Sequence, residues 1–311
     1  MEKYSSRVAV TGAAGFIGSN LCQALLSENY RVVGIDNLSA GTRENIPQGI
    51  NFHQRDILDT DLRDCLAGCE TLFHLAAKNC LSDCAAHPVE TARVNVMGTA
   101  NVLEAARAAG VKHLIYADTS AEYEGIGSFP SSVNHIRPLS VYACSKRGGA
   151  LMAEAFSQLH PIAVSYVRYF NVYGPAQDFR RVVPPVMSAF VLRLLRGESP
   201  VIYGDGKKSR DFIHVDDVNA FHLKLLKEPA LWGKTFNLGS GESHTILEIF
   251  QKIQRLLSST LAPEHKPDLP MEAQMTLADI KESLATGWSP KIRLEEGLQD
   301  FIQYTKRRLA T

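Results

Sequence analysis

The stretch Val8–Asp36 limits what this chain can fold into more than any other part of its 311 residues. Val8 and Val10 open a short β-branched run that ends in Gly12-x-x-Gly15-x-x-Gly18. An amphipathic segment follows, and a second apolar run, Val32–Ile35, stops at Asp36. Strand, glycine turn, helix and strand in this order read as a βαβ unit that opens a dinucleotide fold. Glycines let the backbone turn tightly and approach a pyrophosphate, whose charge is met by unpaired amides at the helix start, here Phe16 and Ile17. The acid after the second strand accepts hydrogen bonds from an adenosine ribose. The glycine spacing alone is weak evidence; Asp36 in register makes it specific. A carboxylate there repels a 2′-phosphate, so the expected cofactor is NAD, with Arg43 the one nearby cation that argues otherwise.

With 45 % hydrophobic residues the chain can bury a large core, and its length allows one to two domains. Thirty-three Lys and Arg balance thirty-three Asp and Glu. The net charge is therefore zero, and without a basic stripe neither nucleic acid nor an anionic membrane is an expected partner. No leader-like or long apolar run appears, so the expectation is a soluble, cytoplasmic protein. Cys65/Cys69 and Cys80/Cys84 are each four apart, wider than a zinc ribbon requires. Reduced thiols and no metal are expected.

Beyond Asp36, strand-like and helix-like segments alternate: Ile50–His53, Asp59–Leu66, Thr71–Leu75, Pro88–Ala109, His113–Ala117, Ser140–Leu159 and Ile162–Arg168. That alternation predicts an α/β fold, a Rossmann-type doubly wound parallel sheet with a smaller, mixed C-terminal substrate lobe. The nucleotide-binding domain is placed at 1–173, with 213–238 returning to it, and the substrate lobe at 174–212 and 239–311. Ser258–Pro270 reads as the one flexible loop. In such sheets ligands sit beyond the strand C-termini. The residues to watch are therefore Gly12, Asp36, Asp56, Ala76–Lys78, Thr119–Glu122 and Tyr169–Tyr173.

Tyr142 and Lys146 form Tyr-x-x-x-Lys in a helix that Ser140 can cap. Spacing of four puts both on one face. An ammonium beside a phenol favours the phenolate, and the helix N-terminus pushes the same way. Such a Tyr can take a proton from a hydroxyl while hydride leaves the same carbon. Cys144, between them, reads as a small buried filler.

With these residues in place the chain resembles the extended short-chain dehydrogenase/reductase family, in particular its NDP-sugar epimerases and dehydratases. The matching stretches run through nearly the whole chain: AspAsnLeuSer at 36–39, Asp56-Ile57, HisLeuAlaAla at 74–77, ArgTyrPheAsnValTyrGlyPro at 168–175, ArgAspPheIleHisValAspAspVal at 210–218, PheAsnLeuGlySer at 236–240 and GlyTrpSerPro at 287–290. The resemblance implies a tightly held NAD, regenerated each turnover, in contact with Asn37, Ser39, Gly41, Asp56, Ile57, Leu75, Ala76, Ala77 and Phe170, besides the glycine loop, Asp36 and the Tyr142/Lys146 pair. It implies that Thr119 bonds the sugar 4-hydroxyl. Asn171 and Arg210 would hold the nucleotide diphosphate, an Arg suiting phosphate by its bidentate fork. Lys78, Val183, Tyr203 and Thr276 would complete the sugar-nucleotide site, with small Thr276 leaving room for an N-acetyl group. A UDP-sugar substrate is implied by the family, and a homodimer by the likeness of Pro88–Ala109 and Ser140–Leu159 to the helices of a four-helix interface. Taken as structural residues instead, Arg210 would pair with Asp205 or Asp211 and Asn171 would shape a turn.

The stretch AspThrSerAlaGluTyrGluGly, 118–125, bears on the reaction. Family 4,6-dehydratases place Asp-Glu directly after Thr; Ser120 and Ala121 stand there instead. Glu122 is unneeded for epimerisation, and the pattern looks like the UDP-N-acetylglucosamine 5,6-dehydratases of tunicamycin-type antibiotic biosynthesis. The expectation is therefore C4 oxidation, C5 deprotonation with loss of the C6 hydroxyl, and hydride return. Tyr142 would be the base, Lys146 its tuner and Glu122 an acid or base of the elimination. A 4-epimerase is the alternative, and an NAD-binding protein without catalysis a minor one.

Overall fold

The computed structural model describes residues 6–177, 184–268 and 272–310. The chain divides into two compact units. The first comprises residues 1–127, 133–169 and 219–237, and the second 128–132, 170–218 and 238–311.

The first unit is built on a seven-stranded parallel sheet. Its strands are β1 (Arg7–Thr11), β2 (Arg31–Asp36), β3 (Asn51–Gln54), β4 (Thr71–His74), β5 (His113–Thr119), β6 (Ala163–Tyr169) and β7 (Thr235–Leu238). Their spatial order is β7-β6-β5-β4-β1-β2-β3. The chain thus winds outward from β1 in one direction and then, from β4, in the other. This reversal opens the ligand crevice of a doubly wound sheet beside the C-terminal end of β1. β1, β4 and β5 are wholly or almost wholly buried, as strands covered on both faces must be.

Three helices matter for the site: α1 (Phe16–Ser27), α2 (Thr99–Ala109) and α3 (Val141–Leu159). α3 starts where it does because the Ser140 hydroxyl accepts the Ala143 amide at 3.1 Å, as the sequence suggests. Glu124 reinforces that start, accepting the Ser140 amide at 2.8 Å and its hydroxyl at 3.0 Å. The single helix expected over Pro88–Ala109 is instead three pieces: an α-turn segment Pro88–Ala92, a π-helical segment Arg93–Gly98, and α2.

The second unit has a core of its own, with Phe190, Val191, Ile202, Ile249, Ile253, Leu298 and Phe301 at its centre. The strand Asn171–Tyr173 pairs in parallel with Phe212–His214. That pairing draws residues 170–173 and 213–218 into this unit rather than into the nucleotide-binding one, where the sequence reading put them. The expected loop 258–270 contains a strand, Glu264–Lys266, paired with Val201–Tyr203.

Candidate active site

In the first unit the glycine turn packs where a side chain could not. Gly12 has φ +73°, and a Cβ there would lie 2.9 Å from the Ala76 nitrogen. At Gly18 it would lie 2.0 Å from the Gly12 carbonyl oxygen. The loop and α1 therefore come together closely enough for an anion to reach the amides of Phe16, Ile17 and Gly18. No side chain caps α1 at Gly15, which leaves its orphan donors for a pyrophosphate.

Asp36 is buried and accepts the Ala14 amide at 3.0 Å and the Leu38 amide at 2.7 Å. Burial raises its pKa while these two hydrogen bonds hold it down. It thus ties the glycine loop to the end of β2, where a ribose diol belongs. Asn37 donates to Asp56 at 2.7 Å and accepts the Ser39 amide at 2.9 Å. Gly41 lies on the Ala14 backbone, and Asn101 holds the Ile57 carbonyl at 2.7 Å. Arg43 donates to Gln54. Donors for a diphosphate, an acceptor for a ribose and small walls between them fit a dinucleotide.

The loop after β4 is held by a hydrogen-bonded row. The Ala76 amide lies 3.3 Å from Thr11 Oγ1, Thr11 Oγ1 2.8 Å from His74 Nδ1, and His74 Nε2 3.0 Å from Thr99 Oγ1, which bonds the Asn95 carbonyl at 2.7 Å. Burial pulls His74 down to about 3, so the ring is neutral. Asn95, in the π-helical segment, accepts the Lys78 amide and donates to the Lys78 carbonyl, at 2.8 and 2.9 Å. It also donates to the Ser145 hydroxyl on α3 at 2.9 Å. The loop Leu75–Lys78 and the helix of Tyr142 are thus fixed to one side chain, which sequence reasoning missed. The one signal was an amide in a helical stretch otherwise rich in apolar residues.

Tyr142 is half-buried, and Lys146 lies one turn on in α3, buried, its Nζ 4.1 Å from the centre of the Tyr116 ring. Burial pulls Lys146 down to about 8, against the charges of Asp118 and Glu122. Thr119 closes β5 and accepts the Ala121 amide at 3.1 Å. Lys78 pairs with Asp83 at 2.9 Å. Cys144 is exposed rather than buried, its thiol turned to the Pro138 carbonyl.

Glu122, expected as an acid or base of an elimination, is enclosed in the first unit. Its side chain is 0 % exposed and pairs with Arg168 at 3.0 Å. Asp118, opposite Arg168 in the β5–β6 register, binds the same guanidinium at 2.9 Å. Burial, with Asp118 beside it, pushes Glu122 up to about 7, while Arg168, Arg147 and Lys146 pull the other way.

In the second unit a cavity of about 680 Å³ is lined by Asn171, Tyr203, Lys208, Arg210, Lys266 and Glu272 among others. Arg210 pairs with Glu272 at 3.4 Å, not with Asp205 or Asp211. Asp211 instead accepts amides of Ser240, Gly241 and Ala278 and so ties three segments together. Asn171 and Thr276 meet directly, amide to hydroxyl at 3.0 Å. Phe170 is buried, with its amide on the Leu238 carbonyl. Val183 lies outside the described residues. Among the described residues no group of His, Cys, Asp and Glu could hold a metal ion, and no helix is long and apolar enough to cross a membrane.

Residues 8–239 match the model of the NAD dependent epimerase/dehydratase family. The chain belongs to this family. It is 34 % identical to the UDP-glucose 4-epimerase of Mycolicibacterium smegmatis over 97 % of its own length and 99 % of the relative's. The structure of a Thermotoga maritima UDP-glucose 4-epimerase with UDP-glucose superimposes with a TM-score of 0.93 at 32 % identity, covering 97 % of this chain and 99 % of that one. A Methanobrevibacter ruminantium UDP-N-acetylglucosamine 4-epimerase, in complex with UDP-N-acetylmuramic acid, gives 0.94 at 30 %, covering 98 % and 100 %. NAD is accordingly the cofactor of this enzyme, and the glycine loop and Asp36 suit it.

Proposed function

We propose that the protein is a UDP-sugar 4-epimerase rather than the 5,6-dehydratase expected from its sequence. One observation carries this reading: neither carboxylate after Thr119 is free to work on a sugar. Glu122 is closed in against Arg168, and Glu124 holds the start of α3. Expelling the C6 hydroxyl needs a positioned acid and base. Epimerisation needs only a group that takes the 4-hydroxyl proton and gives it back, a role Tyr142 fills from the face it shares with Lys146. Lys146 favours the phenolate of Tyr142, and the Thr119 hydroxyl steadies the sugar oxygen. Bound at the glycine loop, NAD supplies a hydride acceptor and donor. Asn171 and Arg210 would hold the diphosphate, and Thr276, already against Asn171, leaves room for an N-acetyl group. The names of the relatives above support both the uridine nucleotide and the 4-epimerase outcome. The same reading takes the protein as a homodimer, supported by exposed apolar side chains on neighbouring helical segments of the first unit: Val89, Met97, Leu151 and Met152.

The test is a proton NMR time course of the NAD-loaded enzyme with UDP-glucose and, separately, UDP-N-acetylglucosamine in deuterated water. A new H4 signal of the 4-epimer, with no deuterium at C5 and no water lost, is the expected result. Vinylic signals from C5–C6 overturn it in favour of the dehydratase.

A further inference from the structure

Glu122 is left without a role by the reaction above, yet it sits in the most heavily charged interior of the first unit. Arg168 is the guanidinium that two carboxylates share there. Its Nε binds Asp118, its Nη1 binds the Tyr123 hydroxyl and the Val133 carbonyl at 3.0 and 2.8 Å, and its Nη2 faces Glu122. Asp118 Oδ1 and Glu122 Oε1 are buried with no hydrogen-bond partner. When both carboxylates are ionised, one guanidinium leaves one negative charge of the pair uncompensated, away from water, where an unmatched charge is costly. Side chains two apart on a strand share a face, so Tyr116 and Asp118 do. The ammonium of Lys146 lies over the Tyr116 ring on that face.

We propose that Glu122, together with Asp118, is the buried counter-charge that keeps Lys146 an ammonium. It is a positioning residue, acting on Tyr142 through Lys146. The inference rests on Tyr142 and Lys146 being the working pair, but not on which sugar is turned over. The groups facing Glu122 and Lys146 are Tyr116 and Asp118 on β5, Tyr123 just after it, Tyr142 and Arg147 on α3, Arg168 on β6 and His74 on β4. His74 is neutral, and Arg147 acts on Glu122 from the cationic side. Burial pushes Glu122 up to about 7 and pulls Lys146 down to about 8, so the two are charged together chiefly between those values.

The test titrates Lys146 directly, by NMR of the NAD-loaded protein carrying [ε-13C]lysine, its signal assigned by loss in Lys146→Met. In Glu122→Gln the Lys146 midpoint is expected to fall by about one pH unit, a tenfold weaker hold on the proton, as loss of a nearby opposite charge dictates. The alkaline limb of turnover moves down with it. An unchanged midpoint in a folded Glu122→Gln protein overturns the proposal. Should that variant not fold, the wild type still decides: the Lys146 signal is expected to carry a second step at the pH where [δ-13C]Glu122 titrates, and its absence overturns the proposal. No sugar enters either titration, so a failed epimerase assay and a failed counter-charge are told apart.

Discussion

Asn95 carries no charge, but three segments depend on its amide. Its carboxamide makes three hydrogen bonds, two to the half-buried Lys78 backbone and one, in the interior, to Ser145. Leucine there would leave the Lys78 amide and carbonyl without partners. Each unsatisfied buried group costs about 1–3 kcal/mol. Asn95→Leu is therefore expected to lower the unfolding free energy by roughly 2–5 kcal/mol in urea titrations. Asn95→Asp, which keeps the acceptor, is expected to lose less. Residue by residue, the sequence was readable where local rules apply. Asp36, Gly12, Gly18 and the Ser140 cap sit where the strand, turn and helix patterns put them. Glu122 was not readable, because it lies past the end of β5 in the 3₁₀ turn Ser120–Tyr123, where the twofold alternation of a strand no longer says which way a side chain faces. Cys144 was readable and misjudged: two residues from Tyr142 is about 200° around a helix, the side away from the dyad.

At the scale of elements, the break in the helix Pro88–Ala109 shows what periodicity leaves out. A π-helical turn keeps the segment helical, so the apolar pattern barely changes, while the extra residue swings Asn95 inward; such turns recur at functional sites. The contacts that stabilise it come from the β4 loop and from α3, both remote in sequence. The same segments bear on assembly. Val89 is 83 % exposed and Met97 61 %, and Leu151 on α3 is 49 % exposed; apolar patches of this kind mark interaction surfaces. Sedimentation velocity is expected to show a dimer for the wild type and a monomer for Met97→Glu/Leu151→Glu, with circular dichroism unchanged. A wild type that sediments as a monomer at tens of micromolar removes the dimer from the reading.

For the whole molecule, acid is the sensitive direction. His74, His113 and His222 are all in the first unit, and burial holds each at about 3. A histidine held neutral in the fold contributes stability that is present above its unfolded value near 6.5 and is lost as pH falls toward 3. Between pH 7 and 5 that loss is about 2 kcal/mol each. Glu122 works the other way: raised to about 7, it contributes stability present below its unfolded value and lost as pH rises through 7. It returns about 2 kcal/mol over the same interval. The histidines outweigh it, so the urea midpoint is expected to be clearly lower at pH 5 than at pH 7. Equal midpoints would show that these rings are not buried as neutral groups. The doubly wound parallel sheet followed from the alternation of segments and from the glycine loop. The grouping of residues 170–173 and 213–218 with the second unit did not, since only the pairing of two short, distant strands decides it.

The row from Ala76 to Asn95 also has a direction. Amide hydrogens can only be given, and carbonyl oxygens can only receive. The Ala76 N–H therefore donates to Thr11, the Thr11 hydroxyl to His74 Nδ1, the Nε2–H of His74 to Thr99, and the Thr99 hydroxyl to the Asn95 carbonyl. One tautomer alone satisfies both ends. Protonating His74 would turn Nδ1 into a donor and leave the Thr11 hydroxyl hydrogen without its acceptor, one bond away from the loop that carries Ala76 and Ala77.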